Sequence, residues 1–156
     1  KFVVVRERNA ELAKLAYGSN FEQVATAPVT IALFTDTDLA KRARKIARVG
    51  GAKNFSEEQL QYFMKNLPAE FARYNEQQIS DYLALNAGLV AMNLVLALTD
   101  QGIGSNIILG FDKSKANEVL EIEERFRPEL LITVGYTDEK LEPSYRLPVD
   151  EIIEKR

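Results

Sequence analysis

The sequence predicts a single α+β domain, and three observations support this. Its 156 residues are enough for one domain with a hydrophobic core of its own. Short apolar runs rich in β-branched residues, which favour strands, occur at residues 2–5, 29–34 and 129–136. The segments between them carry apolar residues at helical spacing, so strands and helices alternate along the chain. No internal repeat or low-complexity linker interrupts this order.

The first elements are a strand, a helix and a second strand. Residues 2–5 are a short apolar run suited to a buried strand. Asn9 is a suitable N-cap for the helix that follows, and Gly18 suits its end. The strand at residues 29–34 comes directly after a proline.

A helix is predicted at residues 39–50. We expect Asp36 and Asp38 to cap its start, because side-chain oxygens accept hydrogen bonds from the first amides of a helix. A metal site on these two carboxylates is the weaker alternative, because two carboxylates without further ligands nearby are weak evidence. The basic residues of this helix predict a solvated face; attraction of nicotinamide cofactor phosphates, or a mobile lid, is the alternative. They are Lys41, Arg42, Arg44, Lys45 and Arg48.

Residues 56–78 are predicted to form one or two helices. Ser56 makes a capping-type start and Pro68 interrupts or kinks the stretch. Its aromatic residues are expected mainly in the core, with a substrate face as the alternative. They are Tyr62, Phe63, Phe71 and Tyr74.

The longest predicted helix covers residues 80–101 and has no charge between Asp81 and Asp100. Its apolar residues cover every face, which is typical of a helix buried on all sides. The length reaches that of a membrane span, but Asn86, Asn93 and the absence of flanking basic or aromatic belts argue against one. These two amides share one stripe of the helix, where we expect hydrogen bonds between helices or subunits, with substrate contact as the alternative.

Composition excludes several classes of function. There is no cysteine and no histidine, so neither a hydrolytic triad nor a zinc site of the usual ligands can form. Redox or transfer chemistry would need a borrowed cofactor, or carboxylate, Lys, Tyr or Arg side chains. A net charge of −3 argues against broad nucleic-acid binding. The absence of cysteine fits a cytoplasmic protein.

The stretch GIGSNIILGFD, at residues 102–112, carries the strongest functional hint. One interpretation makes Gly102 and Gly104 turn residues around a core strand. A dinucleotide-binding glycine motif is excluded, because its third glycine would fall at Ile107 and a helix precedes it. The remaining interpretation is a flat apolar surface for a planar ligand, with Gly110 allowing the backbone N–H groups to approach closely.

This stretch, followed by ELLITVGY and PSYRLP and preceded by FVVV and APVTIALFTD, resembles the FMN-dependent nitroreductase family. The resemblance covers nearly the whole chain. It implies a central, mainly antiparallel sheet flanked by helices, with a long buried central helix, in a homodimer with FMN at the interface. It also implies a single nitroreductase-like domain at residues 1–156 that lacks the family's N-terminal part, where further FMN contacts would lie.

The resemblance also implies which residues bind the cofactor. The segment against the flavin ring would be Ile107, Ile108, Leu109 and Gly110. The amides of Leu109 and Gly110 would face the N5 and O4 edge of the ring. Arg146 would bind the FMN phosphate and Ser144, where relatives often have lysine, would add a second contact. No side chain would act as acid, base or nucleophile, and no metal is expected.

The activity implied is transfer of hydride from NADH or NADPH through flavin N5 to a nitroaromatic or quinone-type acceptor, by a ping-pong mechanism. One alternative keeps the fold and changes the flavin reaction. The other is a flavin-binding or structural module without turnover.

Overall fold

The structure, a computed structural model, describes residues 1–51, 55–137 and 145–156. At its centre is a four-stranded sheet made of β1 (Phe2–Val5), β2 (Val29–Asp36), β3 (Gly104–Ile108) and β4 (Phe126–Gly135). The strands lie in the order β1-β2-β4-β3, and every neighbouring pair is antiparallel. The predicted α+β class and antiparallel sheet are confirmed.

The helices surround this sheet. They are α1 (Asn9–Ala13), α2 (Asn20–Thr26), α3 (Leu39–Gly51), α4 (Glu57–Gln61), α5 (Leu67–Phe71), α6 (Glu76–Asp100), α7 (Ala116–Val119) and α8 (Val149–Ile152). A π-helical segment, Tyr62–Asn66, joins α4 to α5. Ser56 forms the predicted capping box. Pro68 lies in the first turn of α5, where its missing N–H leaves no helical bond unmade.

Alternate residues of the strands build two hydrophobic layers. In β2, Ala32 and Phe34 face a core formed with α1, α2 and α7, whereas Leu33 faces the opposite side. That side packs against Ala87 and Ala91 of α6. The two-residue period of the strand thus separates the layers.

Helix α6 is the long helix that the sequence predicts, but the expectation of burial on all sides is wrong for a single chain. Only Leu83, Ala87 and Ala91, spaced four residues apart, are buried. The sheet covers this one face, and the other apolar faces are exposed. By length and hydropathy α6 could cross a membrane, which is weak evidence because core helices of soluble proteins also pass that test.

Candidate functional site

Strand β3 brings the glycine-rich stretch to an edge of the sheet, where β4 is its one strand partner among the described residues. Ile108 points into the core and is 2% exposed, whereas Ile107, on the other face, is 37% exposed. After β3 the chain leaves the sheet as a short segment, residues 109–112, which we call the ribbon. Leu109 at its start is 64% exposed.

The ribbon is held by the loop that follows α1. The N–H of Tyr17 donates to the carbonyl of Gly110 at 2.9 Å, and the N–H of Asp112 donates to the carbonyl of Leu15 at 2.8 Å. The side-chain amide of Asn20 adds a third bond, to the same Gly110 carbonyl, at 3.2 Å. The carbonyl of Gly110 is therefore fixed from two directions.

The N–H groups of Leu109 and Gly110 have no hydrogen-bond acceptor within the part of the chain that the structure describes. The carbonyls of the same two residues are satisfied, since that of Leu109 accepts from the N–H of Phe111 at 3.1 Å. Backbone donors without a partner are uncommon away from water. The ribbon thus presents two adjacent donors beside an exposed leucine side chain.

Glycine is required at two positions in this stretch, at one by the backbone conformation and at the other by the lack of space. Gly102 has a φ of +70°, which only glycine adopts readily, and it ends α6. At Gly110 a Cβ atom would lie 2.8 Å from the side-chain nitrogen of Asn20, so a larger residue would displace the amide that holds the ribbon. The interpretation of Gly104 as a turn residue is wrong, because it lies in β3 opposite Gly135.

The far end of the ribbon is anchored by Asp112. The hydroxyl of Ser114 donates to its carboxylate at 2.6 Å, and this bond, with that from the Ser114 N–H, holds the pKa of Asp112 below its usual range. The same contact starts a 3₁₀ turn, Lys113–Lys115, that leads into α7.

Comparison with known proteins identifies the family. A family model described as the nitroreductase family matches residues 1–136. The chain belongs to the nitroreductase family. The Streptococcus pyogenes protein "Putative NAD(P)H nitroreductase Spy0809" is 64% identical over 156 residues, which cover all of this chain and 78% of that protein.

Solved structures of relatives have the same fold. A nitroreductase family protein from Streptococcus pneumoniae TIGR4 is 95% identical, with a TM-score of 0.97 over all of this chain and 78% of that one. A structure from Exiguobacterium sibiricum 255-15, solved in complex with FMN, is 26% identical, with a TM-score of 0.90 over all of this chain and 76% of that one.

Ser144 and Arg146 are the two residues predicted to bind the phosphate. Ser144 lies outside the described residues. Arg146 is exposed, and its Nη1 donates to the carbonyl of its neighbour Tyr145 at 2.8 Å. Among the described residues, no hydrogen bond or ion pair joins Arg146 to residues 107–110 of the same chain.

The remaining candidates take mostly structural roles. Asp38 caps α3 as predicted, with its carboxylate accepting from the Lys41 N–H at 2.9 Å. The described residues contain no group of three or more metal-ligating side chains. Asn86 donates to the backbone carbonyl of Tyr82 at 2.7 Å, within α6 itself, and among the described residues it makes no hydrogen bond to another helix. The five basic side chains of α3 are exposed, as predicted.

Sequence reasoning missed the residues that hold the ribbon. Asn20 and Gly110 are 90 positions apart, and no local pattern links them. It also missed Tyr82, whose ring lies 5.5 Å from that of Phe71. A helical pattern gives no sign of either contact, because both depend on how distant elements pack.

Proposed function

We propose that this protein is an NAD(P)H-dependent FMN oxidoreductase that reduces nitroaromatic or quinone-type acceptors by a ping-pong mechanism. It works as a homodimer in the cytoplasm. The observation that carries the proposal is the pair of N–H groups at Leu109 and Gly110, which have no partner among residues 1–51, 55–137 and 145–156, in a chain that belongs to the nitroreductase family. When bound, FMN would supply the redox chemistry. The sequence has no cysteine to act as a redox thiol and no histidine to bind a redox metal, so this chemistry would come from the cofactor.

The residues present fit a flavin in three respects. The ribbon offers two donors for an acceptor edge such as ring N5 and O4. Ile107 and Leu109 are partly exposed apolar side chains suited to lie against a flat ring. The rigid attachment of the Gly110 carbonyl keeps the donors in place before any ligand arrives, which lowers the cost of ordering them on binding.

A guanidinium group suits the phosphate of FMN, because its planar fork donates two parallel hydrogen bonds to phosphate oxygens. Arg146 is exposed and bonded only to its neighbour's carbonyl among the described residues, so this fork is available. Ser144, by position, would donate its hydroxyl as a second contact.

The surface of α6 supports the dimer. Four exposed apolar residues form one line along the helix, at the spacing i, i+4, i+7 and i+11; they are Leu85, Leu89, Met92 and Leu96, which we call the α6 stripe. The C-terminal residues add further exposed apolar side chains; they are Tyr145, Leu147, Val149, Ile152 and Ile153. A second copy would cover both surfaces, and would bring its own Arg146 to a site that one chain leaves incomplete.

The first experiment measures FMN binding by the quenching of flavin fluorescence. Arg146→Ala should weaken binding by about 10- to 140-fold, because a hydrogen bond to a charged group contributes about 1.5–3 kcal/mol. Arg156→Ala is the matched control, since Arg156 is an exposed arginine of the same C-terminal segment. Equal affinity in the two variants would contradict the phosphate role of Arg146.

The ribbon is tested by Leu109→Pro, which removes one N–H, against Leu109→Ala, which keeps it. Only the proline variant should lose FMN while its circular dichroism stays that of the wild type. Loss of FMN in both variants would assign the effect to the leucine side chain.

Turnover is tested with NADH or NADPH, first without and then with a nitrofuran or a quinone. We expect bleaching of the flavin absorbance by the nicotinamide and its return on adding the acceptor. Binding of FMN without bleaching would indicate that the protein binds flavin but does not turn over. Bleaching without transfer to either acceptor would indicate a same-fold enzyme with a different flavin reaction.

A further inference from the structure

The backbone around Gly110 sets the direction of the ribbon donors. Because the peptide between Leu109 and Gly110 is trans and planar, the N–H of Gly110 points away from the Leu109 carbonyl. That carbonyl accepts from the N–H of Phe111 at 3.1 Å, which closes a three-residue turn with Gly110 at its centre. Glycine restricts its own dihedral angles less than any other residue, so the direction of the donors depends on what holds the chain on either side.

The chain is fixed on both sides of this turn. On the N-terminal side Ile108 ends β3, and its side chain is 2% exposed. On the C-terminal side Phe111 is 3% exposed and forms an isolated antiparallel bridge with Ala16, in the loop that follows α1. One hydrogen bond of this bridge ends on the Gly110 carbonyl, and the other begins at the N–H of Asp112. Asp112 thus supplies the donor of the second bond.

The side chain of Asp112 fixes the backbone of the same residue. Its Oδ1 accepts from the N–H of Ser114 at 3.0 Å and from the Ser114 hydroxyl at 2.6 Å. A bond from a carboxylate to the N–H two residues on is an Asx turn, which limits the dihedral angles of the aspartate. The backbone of Asp112 is extended, with φ −73° and ψ 96°, and its N–H reaches the Leu15 carbonyl at 2.8 Å. The direction of this N–H therefore depends on the carboxylate.

We propose that Asp112 is a positioning residue for the two donors at Leu109 and Gly110. Its carboxylate holds the Asp112 N–H on the Leu15 carbonyl, this bond completes the bridge, and the bridge keeps the glycine turn in place. The carboxylate acts through the backbone and not by touching the cofactor. All of these bonds join residues 15–17 and 109–114 of one chain. The inference rests on the proposed function, because the ligand of the two donors is the edge of the flavin ring.

The test compares the FMN affinity of three variants by the quenching of flavin fluorescence. Asp112→Ala removes the acceptor of the Asx turn and should weaken FMN binding by about tenfold, a typical effect of losing a cap of this kind. Asp112→Asn keeps a side-chain carbonyl that can accept both bonds from Ser114, so its affinity should stay within about threefold of the wild type. Asp38→Ala is the matched control, because it removes the same kind of carboxylate cap from α3, and it should also stay within about threefold.

Two further measurements separate positioning from a general loss of stability. The visible absorbance of bound FMN responds to hydrogen bonds at the ring, so in Asp112→Ala it should shift toward that of free FMN. The Asp38→Ala variant should keep the wild-type spectrum. Amide hydrogen exchange without FMN should be faster at Tyr17, whose N–H forms the other bond of the bridge, in Asp112→Ala alone.

Three results would each overturn the proposal. They are an FMN affinity of Asp112→Ala equal to that of the wild type, equal losses in Asp112→Ala and Asp38→Ala, and a loss in Asp112→Asn as large as that in Asp112→Ala. If the wild type itself does not bind FMN, the proposed function fails. The exchange rate at Tyr17 then still decides whether Asp112 holds the ribbon, and an unchanged rate in Asp112→Ala would show that it does not.

Discussion

The contact that fixes α6 to the sheet is a polar cluster around Arg127 of β4. Its Nη1 donates to the hydroxyl of Ser80 at 2.7 Å and its Nη2 to the Ser80 carbonyl at 3.0 Å. Its Nε donates to Glu129 at 2.8 Å, and the hydroxyl of Thr35 donates to the same carboxylate oxygen. Glu129 is nearly buried, with its side chain 8% exposed, while that of Arg127 is 29% exposed.

Replacing Arg127 by methionine keeps the apolar stem but leaves the carboxylate of Glu129 with Thr35 alone. Removing one partner of a buried ion pair costs about 3–5 kcal/mol. Because water reaches part of the Arg127 site, we expect the lower end, a loss of about 3 kcal/mol in the free energy of unfolding. With a slope of about 1–3 kcal/mol per molar urea, the unfolding midpoint should fall by at least about 1 M.

The double variant Arg127→Met/Glu129→Leu removes both charges and should recover most of this loss, because a well-packed apolar pair is often as stable as a buried ion pair. Arg156→Met is the matched control: Arg156 also pairs with a glutamate two positions away, but both side chains are exposed, so the midpoint should not move. The measurement is urea unfolding followed by circular dichroism. A single variant as stable as the control, or a double variant no better than the single, would refute the reasoning.

Two further predictions follow from packing. Gly135→Ala should lower stability by about 1–3 kcal/mol, because a Cβ atom would lie 2.9 Å from Cγ of Pro28, a rigid ring. In urea unfolding, adding Pro28→Ala to Gly135→Ala should restore part of the lost free energy of unfolding. No recovery would mean that the loss comes from alanine within β4 and not from the contact with Pro28. Leu89→Glu places a charge in the α6 stripe and should give a monomer with weakened FMN binding, as measured by light scattering and flavin fluorescence. Val49→Glu, a similar change at an exposed position of α3, should leave both unchanged, and a dimeric Leu89→Glu variant would contradict the proposed interface.

The strands were predictable because their signals are local. β1 and β2 begin where their apolar, β-branched runs begin, at Phe2 and Val29. β4 starts earlier than expected, at Phe126, and runs through Pro128. It can do so because the register with β2 shifts between Leu33 and Phe34, opposite the proline, and a strand irregularity tolerates a missing N–H.

Elements that depend on distant contacts were not predictable. Helix α2 (Asn20–Thr26) has one buried residue, Val24, so its sequence shows little helical period. The sequence showed that the backbone needs glycine at 102 and 110. It did not show which residues bond to the backbone at Gly110. Tyr17 and Asn20 reach the Gly110 carbonyl through tertiary packing, and only the folded chain shows that the two N–H groups of the ribbon find no acceptor in its described part.

The partial burial of α6 within one chain carries functional information of its own. A helix that is apolar on every face must be covered on every face, and the sheet covers only the side of Leu83, Ala87 and Ala91. In the same chain, no hydrogen bond joins Arg146 to the ribbon within the described residues, so we infer that one chain leaves the proposed FMN site incomplete. One second copy would meet both requirements. FMN binding and dimerisation would then be linked, so that each raises the affinity of the other by the same factor. The exposed apolar surface of α6 and an FMN site built from two chains would then both follow from the same homodimer.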